Sequence, residues 1–229
     1  MSTKKNKYKV SQANTDGAMW NLHEFNINAV SREIYLHGYR DSEWNENEEP
    51  EVDYRMATKF IKNLTFLNNQ GKENILVHQQ TCGGDYNHGM AIYNAIQASK
   101  APVTILCYAH SRSMSSITLQ AAKCRVLMPD CLFMVHEGSC GGEDTCKGMR
   151  TFMEEVDKAT DRMMDVYSER CEGSEGFDGM SRDQIEKYIR KKMDMKQEWF
   201  MDAEEAVRYG FADGVFGTKG FETLAKIRK

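Results

Sequence analysis

Between residues 57 and 67 the apolar positions Ala57, Phe60, Ile61, Leu64 and Leu67 recur at helical spacing and predict a helix with one buried face. "NILVHQQ" (74 to 80) then reads as an apolar strand that "CGG" stops, and "GMAIYNAIQAS" (89 to 99) returns to the helical period. Pro102 opens the strand "VTILCY", which ends near Tyr108. "SITLQAA" is a helix again, and "CRVLMP" and "LFMVHE" are two further strands. Alternating β and α units with short links predict an α/β layer structure with mostly parallel strands. The strands are nearly all apolar, as strands covered on both faces should be.

The flanks read differently. Residues 1 to about 30 show no periodicity and predict a flexible arm. "REIYLHG" (32 to 38) is a short strand ending at Gly38. "DSEWNENEEPEVD" (41 to 53) carries seven acids and no base, which predicts a solvated loop; a partner-binding surface is the alternative. After "GSCGGEDTC", the residues Met149, Phe152, Met153, Val156, Ala159, Met163 and Val166 keep one helical stripe over about five turns. A helix of that length can project beyond its own domain. Ser181 with Gln184, and Asp202 with Glu205, have capping-box spacing and predict two more helix starts.

Composition narrows the class. With 41% hydrophobic and 28% charged residues, the 229-residue chain is long enough for one medium domain with a real core. A net charge of -4 gives no general reason to expect a nucleic-acid or membrane partner. No apolar run approaches the ~20 residues of a membrane span, and the basic start "MSTKKNKYKV" is followed by no apolar secretory core. Seven scattered cysteines suit a reducing, cytoplasmic setting better than a disulfide framework. Cys140 and Cys146 lack a second pair at zinc spacing, so no metal is expected there.

The chemistry that stands out lies where "ILCYAHSRSMSSITLQAA" (105 to 122) changes from strand-like to helix-like. Four of the six residues from Ser111 to Ser116 are serines. A hydroxyl at a helix N-terminus sits where free N–H groups favour developing negative charge, which suits an attacking serine and its oxyanion. From this segment alone the favoured reading is an N-cap, because a serine oxygen accepts a backbone N–H there. A serine nucleophile needs a base, and the base an orienting acid. His136 ends the strand "LFMVH" ahead of a glycine-containing loop, and strand ends are where α/β folds place their sites. His110, three residues before Ser113, is the rival base. Gly83 and Gly84 would let backbone N–H groups approach a substrate closely, or form no more than a tight turn.

The order of these motifs resembles the proteolytic subunit of Clp proteases, ClpP, and the broader Clp-crotonase fold. The likeness covers roughly residues 32 to 216: a strand ending in Gly-Gly, the helix "GMAIYNAIQ", a strand leading into a Ser-Met turn, a strand ending in His, a long helix, and the tail "AEEAVRYGFAD". The resemblance implies an α/β fold of repeated ββα units with a projecting long helix. It implies a domain over 31–218, between an arm (1–30) and a tail (219–229). Carried over by position, Ser113 matches the nucleophile and His136 the base. The N–H groups of Gly83 and Met114 match the oxyanion hole. Glu198, eight residues ahead of Ala206, matches the acid, with Asp194 the nearby alternative.

The resemblance also implies a serine endopeptidase acting on protein or peptide substrates, without cofactor, in homo-oligomeric rings (a heptamer or double heptamer). An AAA+ ATPase partner is an option, and the setting is the cytoplasm of a bacterial, organellar or phage-infected cell. The chain departs from the family pattern in Cys82 before Gly83-Gly84, Ser115 after the Ser-Met pair, Arg112 where a small residue is usual, and Glu198 in place of Asp. It reads as a divergent or phage-type member. The alternatives are a catalytically weak or silent scaffold subunit and an acyl-CoA enzyme of the crotonase branch. The latter chemistry needs no nucleophilic serine, so Ser113 and His136 discriminate against it.

Overall fold

A computed structural model describes residues 12–37 and 51–228. Its helices are α1 (Gln12–Phe25), α2 (Tyr54–Gln70), α3 (Tyr86–Gln97), α4 (Met114–Gln120), α5 (Cys146–Cys171), α6 (Arg182–Lys196), α7 (Ala203–Arg208) and α8 (Leu224–Ile227). Its strands are β1 (Ile27–Asn28), β2 (Glu33–His37), β3 (Ile75–Thr81), β4 (Val103–Arg112), β5 (Cys124–Leu127), β6 (Leu132–Val135), β7 (Trp199–Met201) and β8 (Gly214–Val215). The main sheet runs β1-β2-β3-β4-β5-β8, parallel from β2 onward, with β1 antiparallel at its edge. The expected α/β architecture is what the chain adopts.

β4 is longer than its periodicity predicts. The apolar run implies an end near Tyr108, but the strand continues to Arg112. A register irregularity between Gln79 and Thr81 bends the β3–β4 ladder, and β4 then leaves β5 (paired at Thr104–Cys107) for β6 (paired at His110–Arg112). β6 in turn pairs antiparallel with β7. The extra strand residues escape the periodicity because their partner, β6, branches off the main strand order of the same sheet.

Strand alternation divides the core. Ile75, Val77, Ile105 and Cys107 face the helices and join one large apolar cluster with residues of α2, α3, α4, α5 and α6. Leu76, Leu106 and Val126 face the other way, where Ile227 closes over them. Among the described residues the second face is therefore covered by Phe216, Phe221 and the short helix α8 rather than by a layer of long helices. Thr104 Oγ1 donates to the Ile227 carbonyl at 2.9 Å, and the Arg228 guanidinium reaches Glu33 Oε1 (3.2 Å) and the Ser31 carbonyl (2.6 Å). Tyr35, His78 and Tyr108 stack across β2, β3 and β4 beside it.

The ends of the chain correct the sequence reading. Of the expected flexible arm, the described residues form α1 and β1, with Met19, Trp20 and Phe25 exposed. The helix shows no apolar face because its anchor is polar: Lys59 and Asn63 of α2 donate to the carbonyls of Glu24 and Phe25 at its C-terminus (2.7 and 2.6 Å). Gly38 and residues 41–50 of the acidic run lie outside the described residues. At the run's end Glu51 is exposed, as expected of a solvated loop, but Val52 is packed. Val52 is 2% exposed, its N–H donates to the Gly83 carbonyl, and its carbonyl accepts from Asp85 N–H. Asp53 then caps α2 through the Met56 N–H.

The long helix matches expectation at Cys146–Cys171, but its stripe divides. Met163, Met164, Val166 and Tyr167 are buried, whereas Phe152 and Met153 stay 41% and 42% exposed. Both expected caps form: Gln184 accepts from Ser181 N–H and Asp202 from Glu205 N–H, each at 2.8 Å. Among the described residues, no helix is long and apolar enough to cross a membrane.

One polar cluster ties the layers behind β4. The buried Arg125 guanidinium pairs with Asp213 and donates to Gln120 Oε1 (2.6 Å) and the Gly210 carbonyl (2.8 Å), joining β5, α4 and the α7–β8 link. Removing the acid strands a buried cation, which is costly. Asp213→Ala is expected to lower unfolding stability by about 3 kcal/mol, measured by urea denaturation; a loss below about 1 kcal/mol would mean the pair behaves as a surface one.

Candidate active site

The four serines divide into three with structural partners and one without. Ser111 is fully buried, and its hydroxyl donates to the Ser115 carbonyl (3.2 Å). Ser115 Oγ donates to the Arg112 carbonyl (2.7 Å) and accepts from Arg112 N–H (2.8 Å). Ser116 Oγ bonds the Ser113 carbonyl and the Tyr167 hydroxyl of α5, both at 2.6 Å. Ser113 occupies the N-cap position of α4, yet its side chain makes no capping bond. The capping alternative thus fails at the one serine placed to cap.

Ser113 also has φ 53° and ψ −131°, a region that L-residues seldom visit. Such a backbone costs on the order of 1–3 kcal/mol and persists only where its surroundings over-determine it. Here the flanking hydroxyls do so: Ser115 clasps Arg112, and Ser116 clasps the Ser113 carbonyl. The turn presents the Ser113 hydroxyl at the strand–helix junction instead of folding it back onto the helix.

His136 follows β6 directly. The β6–β7 register, Phe133 with Met201 and Val135 with Trp199, continues to place His136 opposite Glu198. Nδ1 of His136 lies 3.8 Å from Glu198 Oε1, an electrostatic contact longer than a direct hydrogen bond. Asp194 stands exposed on α6, so the geometry brings together His136 and Glu198 rather than Asp194. His110 lies opposite Leu132 at the far end of the β4–β6 ladder. Two residues separate it from Ser113, a rise of about 10 Å along the strand.

Ser113 reaches the same place from the other strand. Its N–H donates to the Met134 carbonyl at 3.3 Å, two residues before His136. Nε2 of His136 is buried and has no hydrogen-bond partner among the described residues, and the Ser113 hydroxyl is equally uncommitted. The two are not joined by a hydrogen bond in this structure. In an enzyme without substrate such bonds are often long and tighten only in the complex. Burial pushes the His136 imidazole below the ordinary histidine value, and the Glu198 carboxylate pulls it part of the way back.

Gly83 completes the group. Its φ is 107°, and a Cβ there would fall 2.7 Å from Ser113 Cβ and 2.9 Å from Met114 N. Only glycine lets this backbone touch the turn. Met114 opens α4, so its N–H has no acceptor within the helix. The Gly83 N–H donates to Thr81 Oγ1 at a long 3.3 Å. Gly89 of α3 makes room for the Met114 side chain, which seats the first turn of α4. Among the described residues, no three His, Cys, Asp or Glu side chains converge as a metal site would require.

The sequence reading missed the brace behind the site. Gln79 is fully buried, and its amide donates to Ser111 Oγ (3.4 Å) and the Ser115 carbonyl (3.1 Å), holding β3 against the turn where the ladder slips. Gln79 stands among His78, Gln80 and Thr81 in the polar half of β3, so its burial gave no signal in the sequence.

A mixed α/β architecture with a largely parallel central sheet flanked by helices is the fold of the Clp protease class. The Clp protease family model matches residues 48–219. The ATP-dependent Clp protease proteolytic subunit of Deinococcus radiodurans is 30% identical over 167 residues, covering 72% of this chain and 76% of that protein. The chain belongs to the Clp protease family.

The electrostatics of His136 can be tested without any assay of turnover. Its imidazole pKa, followed by NMR, is expected below 6.5. Removing the negative charge in Glu198→Gln withdraws the only raising influence, so the value should fall further. Asp194→Asn should leave it unchanged. A larger response to Asp194→Asn than to Glu198→Gln would reassign the acid.

Proposed function

We propose that the protein is a serine endopeptidase of the ClpP type, with Ser113, His136 and Glu198 as its triad. One observation carries this reading. The serine at the N-cap of α4 is held in a strained turn without capping, on the strand that pairs with the one delivering His136 to Glu198. In the proposed reaction Ser113 Oγ attacks the peptide carbonyl while His136 Nε2 takes its proton. Glu198 orients the imidazole through Nδ1 and stabilises the imidazolium. The N–H groups of Gly83 and Met114 receive the oxyanion, the Gly83 donor turning from Thr81 to the charge that forms. His136 then protonates the leaving amine, and water hydrolyses the acyl-enzyme by the same route.

The open Ser113–His136 pair also suits a silent scaffold subunit, and one experiment separates the two. A fluorophosphonate probe should label the wild type and fail on Ser113→Ala and His136→Ala. Peptide hydrolysis by either variant should fall about four orders of magnitude or more. Unlabelled wild type would favour the scaffold reading. Labelling that survives His136→Ala but not His110→Ala would move the base.

The proposal extends to assembly. The half-exposed Phe152 and Met153 lie on the half of α5 that is not buried in its own subunit. An exposed apolar stripe is a liability that a second copy removes, and a two-fold contact covers both copies at once. We assign the stripe to contact between heptameric rings, with an AAA+ ATPase as a candidate partner. The Phe152→Glu, Val156→Glu double variant is expected to split the assembly in sedimentation velocity and to lower peptidase activity with it. A double variant of unchanged mass would overturn the assignment.

A further inference from the structure

The residue before the proposed nucleophile is a cation with nothing to hold. Arg112 is fixed by its backbone, whose N–H and carbonyl both bond Ser115 Oγ. Its side chain is another matter. Nε is buried without a hydrogen-bond partner, and among the described residues no carboxylate pairs with the guanidinium. The contrast with Arg125 is direct, since that buried guanidinium has Asp213, Gln120 and Gly210 as acceptors. A half-buried guanidinium with an unmet donor costs free energy that folding leaves unrecovered.

The strand register says where this cation points. Arg112 pairs with Met134, and Met134 pairs with Phe200. Side chains side by side on paired strands share a face, as do residues two apart on one strand. Arg112, Met134, Phe200, His136 and Glu198 therefore share one face. Phe133, Val135, Trp199 and Met201 alternate onto the opposite, buried face, as their burial requires. The guanidinium stands on the same face as the His136–Glu198 pair, one residue from Ser113. A Cβ on Gly83 would fall 2.8 Å from the Arg112 carbonyl, so the glycine strand runs directly across this residue.

We infer that Arg112 is a specificity-determining residue that receives the carboxylate of an acidic side chain flanking the scissile bond. The inference rests on the proposed peptidase reading. A planar guanidinium that no carboxylate pairs with among the described residues matches a carboxylate in charge and in hydrogen-bond geometry. A glutamine in the same place offers neither the charge nor two equivalent acceptor oxygens, so the site should separate Glu from Gln although they are isosteric.

The test uses internally quenched peptides in which a single Glu, or a Gln in its place, is walked through the positions on both sides of the scissile bond. In wild type, one position should favour Glu over Gln by about tenfold to a hundredfold in kcat/KM. Arg112→Gln should bring that ratio to about one without reducing cleavage of the Gln peptide to the same degree, and Arg112→Lys should restore part of it. Binding of the same peptides to Ser113→Ala protein, read by fluorescence anisotropy, supplies an arm that needs no turnover. Cleavage with no Glu preference at any position would overturn the inference and leave the peptidase reading standing. No cleavage, with Arg112-dependent preference for Glu in binding, would overturn the peptidase reading and support the acidic subsite. No preference in either arm would overturn the inference.

Discussion

One strand with two sets of neighbours organises this molecule. β4 begins in the middle of the main strand order and ends on a branch of the same sheet, exchanging β5 for β6 along the same edge. The change of partner is what turns its last residues away from the apolar layer, and Gln79 holds β3 to β4 at the slip. Everything proposed for catalysis hangs from that departure. It delivers Ser113 to the end of a strand whose new neighbour delivers His136, and β7 brings Glu198 to the histidine.

The serine cluster illustrates how a strained turn is held. Ser111, Ser115 and Ser116 each spend their hydroxyls on backbone within four residues, and Ser116 reaches Tyr167 as well. Net contributions of about 1 kcal/mol for each such bond are comparable with the cost of the Ser113 backbone. Serine content around the turn is thus a structural requirement for three residues, and it frees the fourth from the capping role that its position would otherwise impose.

Local periodicity carried the helices and the main strands because burial against one face repeats at short range. The two matching caps, at Ser181 and Asp202, were legible for the same reason: the partners lie three residues away. Ser113, His136 and Glu198 were singled out as candidates by motif order, and the register of β6 on β7 supplies the physical link between the last two. What escaped depends on distant partners. The extension of β4 to Arg112 needs β6. α1 needs Lys59 and Asn63, more than thirty residues on. The packing of Val52 needs Gly83 and Asp85. The isolation of Arg112 could not be read at all, since a sequence shows a charge but not the lack of an acceptor around it.

The cover over the second face of the sheet bears on how the chain can fold. Arg228 bonds Glu33 across 195 residues of sequence, and Ile227 bonds Thr104 across 123. Contacts of such separation are slow to form, because a long loop must close before they give anything in return. During synthesis β2, β3 and β4 emerge well before the residues that shield Leu76, Leu106 and Val126. Until Phe216, Phe221 and Ile227 arrive, Leu76, Leu106 and Val126 lack the cover that these residues provide. The nascent protein therefore passes through an interval in which its own unfinished sheet is adhesive, and that interval closes when Ile227 docks.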